Sequence, residues 1–420
     1  MHADTNPTTP WLRLFLPFAG AYFLSYHFRT ANAVVGPVLS KELSLGAADL
    51  GLLTSAYFFA FGLAQLPLGL FLDRFGPRRV EAFLLIIAAI GAALFACGHD
   101  IETLTLARGM IGVGVSACLM ASLKSFSQWF PLEKQASLTG WIMTSGTLGA
   151  LAASAPLDAA LQIAGWREVF FALSALTLIM SAWILFGVPD HDGVVHPERL
   201  SEQISGIRHV FKSHHFWRFA PLCFALVGGF MAVQSLWSSA WMIHVNGFSR
   251  SLAADHLAAM SMAMIVSYAL IGLLSTRLAQ RGIRPIYLLA GGLVLALVTL
   301  SLIITQVSEQ HYLLWIAYGV FSSFGTLVYS QAAACFPLPL SGRVTTSLNL
   351  LVFAGAFSLQ WGLGGIIEML QARGYGDVVA HRTAFMVLFA LQLLSFLWLM
   401  FSSYRYGRST VTAKCSGHRA

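Results

Sequence analysis

The sequence predicts an all-α membrane protein with twelve transmembrane helices in two pseudo-symmetric six-helix bundles. Its 420 residues are 57% hydrophobic and only 10% charged, whereas an average soluble protein has roughly 25% charged residues. Apolar runs of about 20 residues, long enough to cross a hydrocarbon core of roughly 30 Å, recur along the whole chain. One long polar stretch, residues 189–216, separates these runs into two sets of six.

The predicted spans are numbered 1 to 12 in chain order. Spans 1 to 6 cover 12–38, 50–71, 80–98, 103–127, 137–157 and 167–187. Spans 7 to 12 cover 217–243, 254–278, 286–306, 312–336, 344–370 and 384–404. The predicted domains are a first bundle over 1–188, a cytoplasmic linker over 189–216, a second bundle over 217–404 and a cytoplasmic tail over 405–420.

Basic residues are concentrated in the loops on one side of this arrangement. Of the 25 Lys and Arg residues, seventeen fall on the side of the N-terminus and five on the opposite side. Because cytoplasmic loops carry an excess of Lys and Arg, both termini are expected in the cytoplasm and the protein in the cell inner (plasma) membrane. This asymmetry accounts for the net charge of +7, so the charge gives no reason to expect a nucleic-acid partner.

A segment after the second span of the first half recurs in the second half. GLFLDRFGPRRV begins at Gly69 and GLLSTRLAQRGI begins at Gly272. In a twelve-helix chain the first of these resembles the signature loop of the major facilitator superfamily, and LARGMIGVG, from Leu106, resembles the helix 4 motif of the same superfamily. The resemblance covers essentially the whole chain and implies a conformational gating set of Gly69, Asp73, Arg74, Gly76, Arg78, Arg79 and Arg108. For Arg108, a structural arginine that binds carbonyls of a neighbouring helix and a proton relay are the two alternatives.

Within that superfamily, span 1 and the end of span 4 resemble the organophosphate:phosphate antiporter branch and its sensor-like relatives. The central arginine of that branch falls on Arg29, and its basic residue near the end of helix 4 falls on Lys124. The branch has a second phosphate-binding arginine that would fall near Met231, where this chain has no basic residue. We therefore expect one end of an anion, rather than both, to be held by arginine.

Arg29 is the central candidate for substrate binding, with a structural ion pair or a carbonyl clamp as the alternative. An arginine at membrane depth costs a few kcal/mol, so it is expected in the bundle interior or a wet cavity. Tyr22, Tyr26 and Arg29 are spaced to share one helix face, and a guanidinium is suited to a carboxylate or phosphate. His27 lies on a different face; it is the predicted proton carrier, and a packed histidine is the alternative.

The positions of the acidic residues also predict an anionic substrate. Those identified near the spans lie at or near span ends: Asp49, Asp73, Asp158 and Glu368. We therefore expect no carboxylate at mid-depth and an electropositive cavity that favours an anion. Neutral polar side chains of spans 7, 10 and 11 complete the predicted binding set: Gln234, Gln331, Asn349 and Gln360.

The predicted function is secondary-active transport of a small organic anion, a carboxylate or phosphate ester, by alternating access with proton-coupled uptake. One alternative is an exporter of a drug, siderophore or metabolite, and another is a transporter-like membrane sensor. An enzyme is not expected, because no nucleophile, metal or cofactor motif is present. The expected partners are the anion, protons and the lipid bilayer, with no cofactor and no metal, and the protein is expected to be a monomer.

Overall fold

The computed structural model describes residues 11–130, 132–189, 205, 208–281, 285–307, 310–337 and 340–416, which are almost entirely helical. Most of the predicted linker, 189–216, lies outside these ranges. An all-α architecture is therefore confirmed for the part of the chain that the structure describes.

The first half contains six helical spans, three of which consist of two helices. Their bounds are Trp11–Thr30 and Asn32–Leu43 for span 1, Ala47–Phe75 for span 2, Pro77–Cys97 for span 3, Ile101–Gly114 and Cys118–Trp129 for span 4, Leu132–Ala152 and Ala155–Ile163 for span 5, and Trp166–Gly187 for span 6. Spans 2 and 3 are joined by Gly76 alone, at φ +80°, a left-handed conformation that glycine adopts without steric cost. Pro77 then starts span 3 at a position where its missing N–H is not needed.

The second half also contains six spans. Span 7 runs from His214–Leu222 through a π-helical turn at Cys223–Val227, Gly228–Ala232 and a second π-helical turn at Val233–Trp237 to Ser238–His244. The remaining bounds are Arg250–Gln280 for span 8, Pro285–Thr305 for span 9, His311–Ser322, Ser323–Thr326 and Leu327–Ala333 for span 10, Ser341–Ala372 for span 11 and Asp377–Ser416 for span 12. π-helical turns inside α-helices are frequently found at functional sites. The two turns in span 7 therefore make it a candidate to line such a site.

Nine helical segments within the described residues are long and apolar enough to cross a membrane. They belong to spans 2, 3, 4, 6, 7, 9, 10, 11 and 12. Spans 1, 5 and 8 are also helical at their predicted positions. The prediction of a multi-pass α-helical membrane protein is confirmed.

The same close contact recurs inside each half. A Cβ placed on Gly149 of span 5 would collide with the carbonyl oxygen of Phe23 in span 1, and a Cβ on Gly355 of span 11 would collide with that of Phe224 in span 7. Small residues let membrane helices approach closely. The predicted internal repeat therefore corresponds to a repeated mode of helix packing, in which the first span of each half lies against the fifth.

Packing divides the chain into two units. One contains residues 1–198 and 234–265, and the other contains residues 199–233 and 266–420. The outer part of span 7 and the first part of span 8 therefore pack with the first half. In the second unit, an apolar core joins spans 7, 9, 10, 11 and 12 around fully buried side chains such as Phe216, Leu289 and Leu348.

Candidate functional site

Arg29 lies buried in the first half among aromatic rings. Its side chain is 6% exposed, and its guanidinium carbon lies 4.3 Å from the ring centroid of Tyr26 and 5.6 Å from that of Phe61. It also interacts electrostatically with Tyr57 of span 2, and the Tyr57 hydroxyl donates to the carbonyl of Ser25 at 3.1 Å. Guanidinium groups are attracted to aromatic faces, so this setting holds the charge in a defined orientation.

The structure brings the two predicted tyrosines together with Arg29. The rings of Tyr22 and Tyr26 are 5.1 Å apart at 70°, and Tyr22 is almost fully buried. Gly146 of span 5 leaves room for both rings, because a Cβ there would lie 2.6 Å from Tyr22 and 2.9 Å from Tyr26. The predicted face therefore exists, and a glycine of a neighbouring span makes space for it.

Arg108 in span 4 is completely buried and bonds to span 1. Its Nη1 donates to the carbonyl of Phe28 at 2.9 Å, and its guanidinium carbon lies 5.3 Å from the ring of Tyr57 and 5.9 Å from that of Phe95. This is the geometry expected of the structural alternative, a carbonyl clamp. The bonded carbonyl directly precedes Arg29 in the chain, so Arg108 fixes the backbone next to the candidate binding residue.

Two polar contacts near this site involve residues that sequence reasoning did not select. The amide nitrogen of Gln65 donates to the carbonyl of Ser116 at 2.9 Å, within the break between the two helices of span 4. Asn32 donates to the hydroxyl of Thr54 at 2.9 Å. Their signal in the sequence is an amide within an apolar run, which also occurs at ordinary interhelical contacts.

The remaining predicted binding residues are distributed over both units. Lys124 is half-buried on the inner helix of span 4. Gln234, which packs with the first half, is buried with its amide nitrogen 3.4 Å from the Met264 sulfur.

In the second unit, Asn349 accepts a hydrogen bond from the hydroxyl of Tyr329 at 3.1 Å. Gln360 is completely buried and Gln331 is half-buried. The structure therefore shows an amide–tyrosine pair on spans 10 and 11 of this unit.

The predicted gating loop turns at Gly76, between spans 2 and 3. Arg78 donates to the carbonyl of Val188 at the end of span 6, at 3.0 Å, whereas Arg74 and Arg79 are exposed. The side chain of Asp73 lies outside the described ones. A Cβ on Gly69 would meet no described atom within 4 Å.

His27 is buried against span 5. Its ring stacks on Phe23 with centroids 6.3 Å apart and meets Phe28 edge-on at 6.5 Å, and it is 6% exposed. It therefore lies away from the tyrosine–arginine face, as its position two residues before Arg29 predicts.

Glu81 is a buried carboxylate near the start of span 3 that the sequence analysis did not select. It lies in span 3, four residues after Pro77, and is completely buried. Sequence reasoning missed it because it follows the basic cluster of the gating loop and so reads as part of a solvated span end. The first half therefore contains a buried acid as well as two buried arginines.

Two charged contacts lie at the ends of spans, on the side opposite to the loop between spans 2 and 3. Glu42 accepts hydrogen bonds from the Trp166 indole, at 2.6 Å, and from Arg167. These donors hold the pKa of Glu42 below its usual range. Asp158 at the end of span 5 is 2.6 Å from Arg250 at the start of span 8.

A groove of about 640 Å³ runs along spans 2, 3 and 4 and is lined by apolar residues such as Phe59, Leu106 and Met110. It contains none of the predicted binding residues. We therefore place the candidate site at Arg29 and its tyrosines, and not in this groove.

A family model described as Major Facilitator Superfamily matches residues 18–359. Similar curated proteins include a probable sulfoacetate transporter of Cupriavidus necator, 26% identical over 62% of this chain and 64% of that protein. A hexuronate transporter of Escherichia coli is 24% identical over 54% of this chain and 56% of that protein, and a galacturonate transporter of Dickeya chrysanthemi is 27% identical over 39% and 48%. The aligned part of the chain thus spans about half to two thirds of the length of these relatives.

Solved structures show the same fold. A bacterial homolog of the human lysosomal transporter Spinster, inward-facing and unoccupied, superposes with a TM-score of 0.76 at 18% identity over 94% of this chain and 98% of that chain. A D-xylose–proton symporter superposes with a TM-score of 0.74 at 14% identity, over 93% and 97%. The predicted fold of two pseudo-symmetric six-helix bundles is confirmed, while the resemblance to the organophosphate:phosphate antiporter branch stays a prediction.

Proposed function

Because the chain belongs to the major facilitator superfamily, we propose that it is a secondary-active transporter that moves a small organic anion across the inner membrane by alternating access. The names of its relatives point to transport rather than to an enzyme activity. Transporters built from structural repeats bind substrate near the bilayer midplane. Arg29, in the interior of span 1, is in a suitable position for that role.

The buried guanidinium of Arg29 is the observation that carries the proposal. A charge removed from water is costly unless an opposite charge or hydrogen bonds compensate it. An anion that binds beside the tyrosine face would supply such compensation, and Arg forms bidentate bonds with planar anionic groups. Tyr22 and Tyr26 would then contribute hydroxyl groups and ring surface to the same ligand.

The relatives suggest the kind of anion. Their names specify sulfoacetate, hexuronate and galacturonate, small molecules that combine a carboxylate with a sulfonate or with hydroxyl groups. We infer a carboxylate-bearing substrate of this size rather than a phosphate ester. Lys124 would add positive charge, and the amides of Gln234, Gln331, Asn349 and Gln360 would bind the neutral part.

The gating set completes the proposed cycle. Gly69, Asp73 and the arginines of the GLFLDRFGPRRV loop would make and break contacts as access alternates. We propose uptake driven by protons, with both termini in the cytoplasm.

A ligand-binding measurement on purified protein tests the role of Arg29. Thermal unfolding is followed in detergent with galacturonate, galactarate, galactonate, sulfoacetate and glucose as a neutral comparison. We expect at least one acid, and not glucose, to stabilise the wild-type protein. Arg29→Ala should weaken that binding at least tenfold, since hydrogen bonds to charged groups are worth about 1.5–3 kcal/mol.

Arg373→Ala is the matched control, because Arg373 is exposed at the end of span 11. It should bind the acid as the wild type does. Equal stabilisation of the wild type and Arg29→Ala by the acid would refute the site, and no stabilisation of the wild type by any acid would refute the proposed substrate class.

A further inference from the structure

Glu81 is a carboxylic acid in the core of the first half, and no structural role accounts for its burial. Glu81 is completely buried, and neither of its oxygens has a hydrogen-bond partner among the described residues. An ionised carboxylate in such a place is costly to maintain. Ionisable residues inside membrane spans are functional candidates by default.

The surroundings of Glu81 are suited to a group that changes charge. Its carboxyl interacts with the thiol of Cys118, the first residue of the inner helix of span 4. That helix has twelve residues, and its N-terminus carries partial positive charge. Burial stabilises the neutral acid, and the partial positive charge of the helix end stabilises the carboxylate.

The other polar groups described around Glu81 are a serine, a thiol and two arginines, and none of them is a carboxylic acid. From span 6, Ser181 donates to the carbonyl of Ala82 at 2.7 Å, and from span 1, Arg29 acts electrostatically on the same thiol as Glu81. Arg78, one turn earlier in span 3, donates to the carbonyl of Val188. The Cys118 thiol therefore lies within the electrostatic reach of both the candidate anion-binding residue and the buried acid.

We propose that Glu81 is the proton-binding site that couples transport to the proton gradient. The inference rests on the proposed function. The carboxylate takes one proton from water on one side of the membrane, becomes the neutral acid while it is closed off, and releases the same proton on the other side. No covalent bond of the substrate changes.

The coupling follows from charge. When the substrate anion binds at Arg29, a second negative charge on Glu81 raises the energy of the site, so anion binding favours protonation of Glu81. By linkage, protonation favours anion binding to the same extent. The two ligands would therefore enter together.

His27 is the rival for this role and is less suited to it. Its ring packs on Phe23 and Phe28, close in sequence to Arg29 and beside the carbonyl that holds Arg108. Protonation would add a third positive charge to this part of the bundle, which both arginines would oppose. Protonation of Glu81 leaves a neutral acid in the core, whereas protonation of His27 leaves a buried cation.

Transport by proteoliposomes distinguishes the two residues, with the acids of the binding panel as probes. Substrate exchange at equal concentration needs no net proton movement, whereas accumulation against a gradient does. We expect Glu81→Gln to retain exchange within about twofold, to lose pH-driven accumulation at least tenfold and to lose substrate-induced proton uptake measured with an entrapped pH dye. His27→Asn should retain all three.

The outcomes separate the two proposals. If wild-type liposomes exchange none of the acids, the proposed function fails. If they exchange an acid and Glu81→Gln still accumulates it with a pH gradient, or if wild-type accumulation needs sodium instead of protons, the inference about Glu81 fails alone.

If Glu81→Gln does not fold, an infrared difference spectrum of the wild type provides a second test. Addition of substrate should produce a new protonated-carboxyl band, which Glu81→Asp should shift. A spectrum without that band would overturn the inference.

Discussion

Tyr57 connects the two buried arginines of the first half. Its hydroxyl donates to the Ser25 carbonyl, it interacts electrostatically with Arg29, and its ring lies 5.3 Å from the Arg108 guanidinium. Arg108 in turn holds the Phe28 carbonyl. The phenol of Tyr57 therefore links span 2 to the backbone and the side chains around the candidate site. Loss of its hydroxyl should change the environment of both arginines.

Tyr57→Phe removes that hydroxyl while it preserves the ring. We expect the free energy of unfolding to fall by about 1 kcal/mol, the usual net value of a buried hydrogen bond, and anion binding to weaken because Arg29 is less well oriented. Thermal unfolding with and without the acid measures both effects. Tyr287→Phe is the control, since Tyr287 is 64% exposed; an equal loss in the two variants would contradict the role of Tyr57.

At the scale of elements, the spans follow from apolar runs, whereas their interruptions do not. Residues 115–117 break span 4, and Gln65 of another span binds the carbonyl of Ser116 there. A hydropathy window averages over such a break, and its hydrogen-bond partner is distant in sequence. The face of Tyr22, Tyr26 and Arg29 was predictable because helical spacing alone fixes it.

Glu81 and Tyr57 were missed for a related reason. Their importance comes from side chains on other spans, such as Cys118 for Glu81 and Arg29 for Tyr57. One sequence indicates that a residue lies in a span but not which neighbours it meets. Sequence reasoning therefore selected the candidate residues of span 1 and overlooked Tyr57 and Glu81 on spans 2 and 3.

The contact between spans 1 and 5 can be tested at Gly149. Gly149→Ala places a methyl group against the backbone carbonyl of Phe23, which cannot move away as a side chain could. We expect a loss of about 1–3 kcal/mol and weaker anion binding as span 1 shifts. Gly291→Ala, at an exposed helical position with no atom within 4 Å of the new methyl, should be neutral or slightly stabilising in the same thermal assay.

At the scale of the whole molecule, the boundary between packing units does not follow the boundary between sequence halves. Residues 234–265 pack with the first half, and the ion pair of Arg250 with buried Asp158 belongs to that packing. Asp158 also accepts from Gln162 at 2.9 Å. If spans 7 to 12 move together during transport, this pair has to open in every cycle.

Arg250→Gln should therefore alter stability and transport in opposite directions. Loss of the charged partner of Asp158 should lower the free energy of unfolding by about 2 kcal/mol, while substrate exchange becomes faster if opening of the pair limits the cycle. Thermal unfolding and exchange rates measure the two quantities. Asp255→Asn, at an exposed carboxylate of span 8, should change neither, and slower exchange in Arg250→Gln would count against a gate.

If Glu81, the one buried carboxylate without a hydrogen-bond partner among the described residues, carries the proton, it sets the electrical character of transport. One proton carried with a monocarboxylate moves no net charge, so the membrane voltage would neither drive nor oppose uptake. A dicarboxylate with one proton would carry one negative charge inward, against about 2.3 kcal/mol for each 100 mV of an interior-negative potential. Substrates of equal affinity would thus be accumulated to different extents in an energised cell, with monoanions favoured.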